Sequence, residues 1–191
     1  MASAALPDDL VVCLKRVAAT LRDGGVPFAL GGGLAAWARG GPRSEHDVDL
    51  LVAEEDVPDA RKVLDEGGFR VENPPEDWLF KAFDGDILID LIHRPSGLVI
   101  DADYIARCER LSVAAVEMPV MGLDDLMVTK LLSLNEHCLD LGRLLQVSRA
   151  LREQIGRRDV RDRTVHSPFA DAFFVIVERL GIVDAAALEA V

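Results

Sequence analysis

The N-terminal part of the chain carries apolar residues at the spacing of an amphipathic helix. Leu10, Leu14, Val17 and Leu21 recur every three or four positions, so they share one face of a helix predicted over residues 7–23. A pair of glycines follows and ends the periodic pattern. After it the chain changes to short apolar runs, which are typical of strands.

Three short apolar runs and two intervening amphipathic segments make up the rest of the first half. The runs predict strands over Val26–Leu30, Asp47–Val52 and Ile87–Ile92. The segments between them predict helices over Leu34–Arg39 and Val57–Glu66, each followed by a glycine pair. Strands that alternate with helices in this way predict an α+β core.

The second half of the chain is predicted to be helical after residue 120. Its apolar residues have helical spacing over Leu123–His137, Leu139–Ile155 and Phe169–Leu180. We therefore divide the chain into a core, residues 1–120, and a helical C-terminal region, residues 121–191.

Composition and charge narrow the classes of partner. The formal net charge of −12 repels nucleic acid over most of the surface, so duplex DNA is not expected as a ligand. No uninterrupted apolar stretch reaches the roughly 20 residues that a membrane span needs. Cys13, Cys108 and Cys138 are widely spaced and odd in number, which favours a reducing compartment. We expect a soluble, unprocessed cytoplasmic protein.

One stretch of the C-terminal region departs from the acidic average. Its arginines form either a solvated helix face with mixed salt bridges or a contact for an anion or RNA, and both interpretations stay open. The seven residues are Arg143, Arg149, Arg152, Arg157, Arg158, Arg161 and Arg163.

Two acidic residues stand two positions apart in the second predicted strand. Asp47 and Asp49 therefore project from the same face, while Val48, Leu50 and Val52 project into the core. Two carboxylates side by side repel each other, so the arrangement favours a cation site. The alternative is that both acids are solvated at an exposed strand edge.

A third acid lies inside the most apolar of the strands. Asp90 interrupts Ile87–Ile92, a run that is apolar on both faces and is therefore predicted to be central in the sheet. Its alternative role is a buried salt bridge to Arg94 or Arg43. If this strand lies beside the second strand, Asp90 completes a three-carboxylate cluster, which suits Mg²⁺ or Mn²⁺.

A run of three glycines separates the first predicted strand from the helix that follows it. The run Gly31-Gly32-Gly33 lets the backbone approach a phosphate closely and places free N–H groups at a helix start. Triple glycine also occurs in plain loops. The acidic strand that follows the run favours its interpretation as a phosphate-binding turn.

The glycines and acids together resemble the signature of the DNA polymerase β nucleotidyltransferase superfamily. In that signature two small residues open a helix, here Gly32-Gly33, and a spacer leads to an acid-x-acid strand, here Asp47–Leu50. The resemblance covers residues 26–93.

Three further features resemble small bacterial members of the superfamily, including aminoglycoside and lincosamide nucleotidyltransferases and abortive-infection type toxins. They are Arg43-Ser44 before the acidic strand, Gly68-Phe69 after the second helix, and Lys130. Lys130 resembles a lysine that follows a similar leucine and acid motif in the toxin-like members.

This resemblance implies a small mixed sheet flanked by helices, and an enzyme that moves a nucleoside monophosphate from a nucleoside triphosphate such as ATP to a hydroxyl acceptor. Pyrophosphate is released, and two Mg²⁺ ions, or Mn²⁺, assist. Asp47 and Asp49 are expected to hold both metals and the triphosphate. Asp90 is expected to bind the catalytic metal and to accept the acceptor's proton. The residues expected to contact the nucleotide are Gly32, Gly33, Arg43, Ser44 and Lys130.

Two questions stay open at the level of sequence. The acceptor is a small molecule, a tRNA or a protein, and a small hydroxylated cation would suit Glu45, Glu54, Glu55 and Glu76 around an acidic cleft. The alternative function is a catalytically silent nucleotidyltransferase-like module that binds a nucleotide or a partner protein, for example in a toxin–antitoxin pair.

Overall fold

The protein is described here by a computed structural model, which covers residues 5–44 and 47–182. Seven strands form one mixed sheet in the order β3-β4-β5-β2-β1-β7-β6. Their bounds are β1 Ala29–Leu30, β2 Asp47–Leu51, β3 Arg70–Glu72, β4 Leu79–Asp84, β5 Ile87–Ile92, β6 Glu109–Val113 and β7 Val116–Val120.

Among the described residues, four α-helices and the short 3₁₀ helix Glu54–Asp56 lie within the sheet region, and four α-helices follow it. The first four are α1 Asp8–Asp23, α2 Gly32–Ala38, α3 Val57–Glu66 and α4 Ala102–Arg107. The last four are α5 Leu123–Leu132, α6 Leu141–Ala150, α7 Arg157–Thr164 and α8 Pro168–Arg179. The predicted helix over 57–66 and the predicted strand over 87–92 are confirmed at both ends.

The centre of the sheet brings the acidic strands together. Strand β2 runs parallel to β5, and Asp49 is the direct register partner of Asp90. Val48, Leu50 and Val52 are fully buried, as predicted for the face opposite the acids. The sequence prediction that β5 is central is confirmed, because β4 and β2 flank it.

The sheet is larger than the three predicted strands. The predicted first strand shortens to β1, and β3, β4, β6 and β7 were missed. Strand β4 pairs antiparallel with β5 across a two-residue turn, Gly85-Asp86, with Asp84 opposite Ile87. Phe80 and Ala82, two positions apart in β4, are both buried, and this alternation of apolar residues is the sequence pattern that predicts a strand.

The β6–β7 hairpin carried no such signal. Its two-residue loop is Ala114-Ala115, and both residues have positive φ, 49° and 66°. Glycine and asparagine normally occupy these positions because a side chain disfavours that backbone conformation. Turn residues in the sequence therefore do not predict this hairpin.

The C-terminal region is helical as predicted, but the first two predicted helices are shorter, and α7 was not predicted. The segment predicted over 123–137 ends at Leu132, and Asn135 and Cys138 then pair across a tight turn. Helix α6 begins only after Asp140, whose carboxylate accepts the Arg143 N–H. Among the described residues every strand precedes residue 121, which agrees with the division at 120, although the boundary itself stays a prediction.

Side-chain contacts join the helical region to the sheet region. The Tyr104 hydroxyl donates to Asp125 Oδ2 at 3.0 Å, and Arg163 Nη2 donates to Asp125 Oδ1 at 2.7 Å. The Gly156 N–H donates to Asp124 Oδ1 at 2.7 Å. Apolar residues of both regions also belong to a single buried cluster. In the described part of the chain, no helix combines the length and the apolar character that crossing a bilayer requires.

Candidate active site

Three carboxylates meet on one face of the central strands. Asp47 and Asp49 come from β2 and Asp90 from β5, and one oxygen of each lies within 4.8 Å of the others. Divalent cations bind oxygen at about 2.0–2.6 Å, so ligands across one ion lie about 4–5 Å apart. The predicted three-acid cluster is therefore assembled by the parallel pairing of the two strands.

Asp49 is the most deeply placed of the three acids. It is 8% exposed, and burial raises its pKa to about 6, with the charges of Asp47 and Asp90 acting in the same direction. The charge of Lys130 and a hydrogen bond from the Gly33 N–H oppose the increase in the pKa. A carboxylate in this position is costly unless a cation lies beside it.

Asp90 has an oxygen that accepts no hydrogen bond from any described group. Its Oδ1 is buried and has no hydrogen-bond partner. Burial raises the Asp90 pKa, whereas the charge of Lys81, its register partner on β4, lowers it. A buried carboxylate oxygen without a donor is uncommon in folded proteins, and a bound cation is a group that would satisfy it.

The arginine partner considered for Asp90 does not explain this oxygen. Arg94 Nη2 lies 3.0 Å from Asp77 Oδ2, and its Nε lies 3.8 Å from Glu54 Oε1. The side chain of Arg43, the other candidate, is exposed, and its backbone carbonyl accepts a hydrogen bond from Arg143. An ion pair with Arg94 is therefore excluded as the role of Asp90.

The glycine turn fits closely around Asp49. Gly32 has φ +55°, and a Cβ there would overlap the Asp49 carboxylate. A Cβ at Gly33 would lie 2.6 Å from Ser44 Oγ. Glycine is thus required here to accommodate an acid and a buried serine, and the Gly33 N–H is engaged by Asp49. The predicted contact of this turn with phosphate stays a prediction.

An open pocket lies between the acids and the helical region. Its volume is about 390 Å³, within the usual range for small-molecule sites. Its polar wall consists of Ser44, Asp47, Asp49, Lys130, Ser133, Asp140 and Arg143 beside Gly32 and Gly33. Its apolar wall consists of Ala36, Leu126, Met127, Leu134, Leu144 and Val147, with Cys138.

The pocket collects some of the predicted site residues and adds others. Gly32, Gly33, Ser44 and Lys130 line it, whereas Arg43 contributes a backbone carbonyl at its edge. Asp140 and Arg143 were not singled out as site residues. Asp140 directly precedes α6 and Arg143 lies in its first turn, far along the chain from the acids, and no local spacing pattern links them to the acids.

The arginine-rich stretch mostly follows its solvated interpretation. Arg152 pairs with Glu153, Arg161 with Glu178, and Arg163 with Asp125 and Asp159. These are ordinary partners along and between helices. Arg143 alone among the seven lines the pocket.

The acids predicted to surround a cleft have different positions. Glu54 lies beside Arg94, and Glu45 falls outside the described residues. The charge of Glu76 raises the Asp90 pKa, which places it near the third carboxylate.

The donor set fits a divalent cation. Three carboxylates converge, one presents an unpartnered buried oxygen, and the deepest has a pKa raised by burial and like charge. A mixed sheet that carries such a cluster beside a glycine turn is consistent with the nucleotidyltransferase fold expected from the sequence.

Comparison with known proteins identifies the family within that class. The chain belongs to the family described as uncharacterised nucleotidyltransferases, whose sequence profile matches residues 9–177. The enzyme class predicted from the sequence is thereby confirmed. No curated protein matches the sequence.

Solved structures share the fold at low sequence identity. The solution structure of the antibiotic-resistance factor ANT(2'')-Ia is 17% identical with a TM-score of 0.64, over 91% of this chain and 97% of that one. ANT(2'')-Ia in complex with adenylyl-2''-tobramycin is 18% identical with a TM-score of 0.63, over 86% and 99%. The lincosamide antibiotic adenylyltransferase LnuA, bound to lincomycin, is 13% identical with a TM-score of 0.51, over 70% and 91%.

Proposed function

We propose that this protein transfers a nucleoside monophosphate from a Mg²⁺-bound nucleoside triphosphate to a hydroxyl acceptor and releases pyrophosphate. The observation that carries the proposal is the convergence of Asp47, Asp49 and Asp90, together with a buried Asp90 Oδ1 that accepts no hydrogen bond from any described group. A silent module that binds only a partner protein has no need of this arrangement, because three acids without a cation destabilise the fold.

The three acids hold the cation and divide the remaining work. Asp47 and Asp49 lie at the boundary of the pocket and hold the metal-bound triphosphate. Asp90, on the neighbouring strand, accepts the proton of the acceptor hydroxyl. When bound, Mg²⁺ neutralises phosphate charge and lowers the pKa of a hydroxyl that it contacts. Most of the rate enhancement in such transfers comes from positioning and charge neutralisation.

The pocket is suited to a nucleotide. Its apolar wall offers Met127, Leu134 and Leu144 to a base, while Lys130 faces the acids and offers a positive charge to phosphate. ATP is the donor that we propose to test first, because ANT(2'')-Ia is described with an adenylylated product and LnuA as an adenylyltransferase.

A small hydroxylated molecule is the acceptor that we propose first. Tobramycin and lincomycin, named with those two structures, are molecules of this kind, and Glu76 adds negative charge near Asp90 for a cationic acceptor. A tRNA or a protein hydroxyl acceptor would need a positively charged surface beside the site, but four of the eight arginines of the helical region are already in ion pairs.

Transfer of α-labelled nucleotide tests the function. Each labelled triphosphate is incubated with Mg²⁺ and with aminoglycosides, lincosamides, tRNA or cell extract, and both product label and pyrophosphate are measured. Asp47→Asn and Asp49→Asn should each abolish transfer, whereas Asp65→Asn, an exposed acid on α3, should not. Wild-type transfer activity in either site variant would contradict the proposal. An affinity for nucleotide that does not change when a chelator is added would contradict it as well.

A further inference from the structure

Among the described arginines of its stretch, Arg143 is distinguished by lining the pocket. Within the described residues, Nη2 of Arg143 donates to the Arg43 backbone carbonyl at 3.3 Å, and the ion pairs of the helical region involve other arginines. The two residues are 100 positions apart in sequence. The contact therefore brings a helix of the C-terminal region directly to the loop that precedes the acidic strand.

The guanidinium also lies against the glycine turn. Nη2 is 2.9 Å from the position that a Cβ at Gly33 would occupy, so a side chain there would displace it. Lys130 lines the same pocket from α5. Two cations thus face a space bounded by Asp47 and Asp49, and one of them has N–H groups available to a ligand.

The order of the strands determines which part of a triphosphate this space would receive. Asp90 stands on β5, on one side of β2, whereas β1 and the glycine turn lie on the other side. Asp90 does not line the pocket that Arg143 lines. In-line transfer places the acceptor and the leaving group on opposite sides of the reacting phosphorus. If Asp90 serves the acceptor, Arg143 is on the side of the leaving group.

We infer that Arg143 binds the pyrophosphate portion of the nucleotide, the β- and γ-phosphates, and so supplies from the helical region a contact that the core lacks. The inference rests on the proposed function. A guanidinium presents a planar set of donors that matches phosphate oxygens in pairs, which a lysine does not reproduce. The bond to the Arg43 carbonyl orients the group without neutralising its charge.

Pyrophosphate itself is the probe that tests this contact, because its binding does not depend on the base. Calorimetry with Mg²⁺ measures the affinity of the full chain for pyrophosphate, ATP and AMP. Arg143→Ala should weaken pyrophosphate and ATP by about 10- to 100-fold, the usual loss for a charge-assisted bond, and AMP by less than about twofold. Arg143→Lys should recover only part of the loss.

Arg149→Ala is the matched control, since Arg149 is exposed on the same helix and outside the pocket. It should bind all three ligands as the wild type does. Both variants should melt within about 2 °C of the wild type, because each removes an exposed side chain.

The outcomes separate the inference from the function on which it rests. If the wild type binds ATP and pyrophosphate and Arg143→Ala binds both equally well, the inference is wrong. The proposed function is not contradicted by that result. Equal losses for AMP and pyrophosphate also overturn it, because they place Arg143 at the α-phosphate or the nucleoside. A wild type that binds neither ATP nor pyrophosphate with Mg²⁺ overturns both.

Discussion

Two groups of acids in this protein have opposite relations to their surroundings. At the start of α5, Asp124 accepts a hydrogen bond from the Gly156 N–H. Asp125 accepts a hydrogen bond from the Tyr104 hydroxyl and forms an ion pair with Arg163. At the centre of the sheet, Asp49 has one backbone donor, and an Asp90 oxygen has none. The fold provides partners for the first group and leaves the second without enough of them. That difference separates acids that hold the structure together from acids available to a ligand.

Asp90→Asn should give the largest effect. Losing a positioned base costs about 10² to 10⁴ in turnover, while affinity for Mg²⁺–nucleotide should stay within about tenfold because Asp47 and Asp49 remain. Single-turnover transfer and calorimetry on one preparation measure the two quantities. Asp86→Asn, an exposed acid in the turn before the same strand, is the control. If Asp90→Asn has normal turnover per folded molecule, Asp90 is a structural acid and not part of the active site.

Asp49→Asn should stabilise the metal-free protein. The Asp49 pKa rises from 3.8 to about 6 on folding, so the folded chain binds more protons between those values. Stability therefore falls as pH rises through this window, by up to about 3 kcal/mol above pH 6. Denaturant melts at several pH values in a chelator should show this fall in the wild type relative to Asp49→Asn. Parallel curves for the two proteins would mean that Asp49 is not destabilised by burial.

Asp125→Asn should do the opposite and destabilise the fold. It weakens the bonds from Arg163 and Tyr104, which should cost about 2 kcal/mol, with transfer per folded molecule unchanged. Denaturant melts measure the loss. Asp159→Asn removes the other, more exposed partner of Arg163 and should cost less than about 1 kcal/mol. Equal losses for both variants would show that burial does not distinguish these partners.

Mg²⁺ should give the smallest effect and should act on one group only. At ten times its dissociation constant it should stabilise the wild type by about 1.4 kcal/mol. Asp125→Asn should retain this increase, whereas Asp49→Asn should lose most of it. Thermal melts with and without Mg²⁺ at pH 7.5 measure the difference. A similar gain in all three proteins would place the ion elsewhere.

The acidic strand, its partner strand and the glycine turn could be predicted from sequence because each is a local pattern. Asp47 and Asp49 share a face through the two-residue period of a strand, and Asp90 stands out within an apolar run. The β6–β7 hairpin could not be predicted, since Ala114-Ala115 lacks turn residues. Arg143 could not be assigned either, because its approach to Gly33 depends on how α6 packs and not on any spacing along the chain.

The parallel pairing of β2 with β5 also determines when the site can form as the chain folds. Parallel neighbours cannot be joined by a tight turn, and here α3, β3 and β4 lie between them in sequence. Such non-local pairing forms slowly compared with helices and hairpins. During synthesis Asp49 therefore emerges well before Asp90, and Arg143 emerges later still. We expect nucleotide binding to appear only in the last refolding phase, after the individual helices and hairpins have formed.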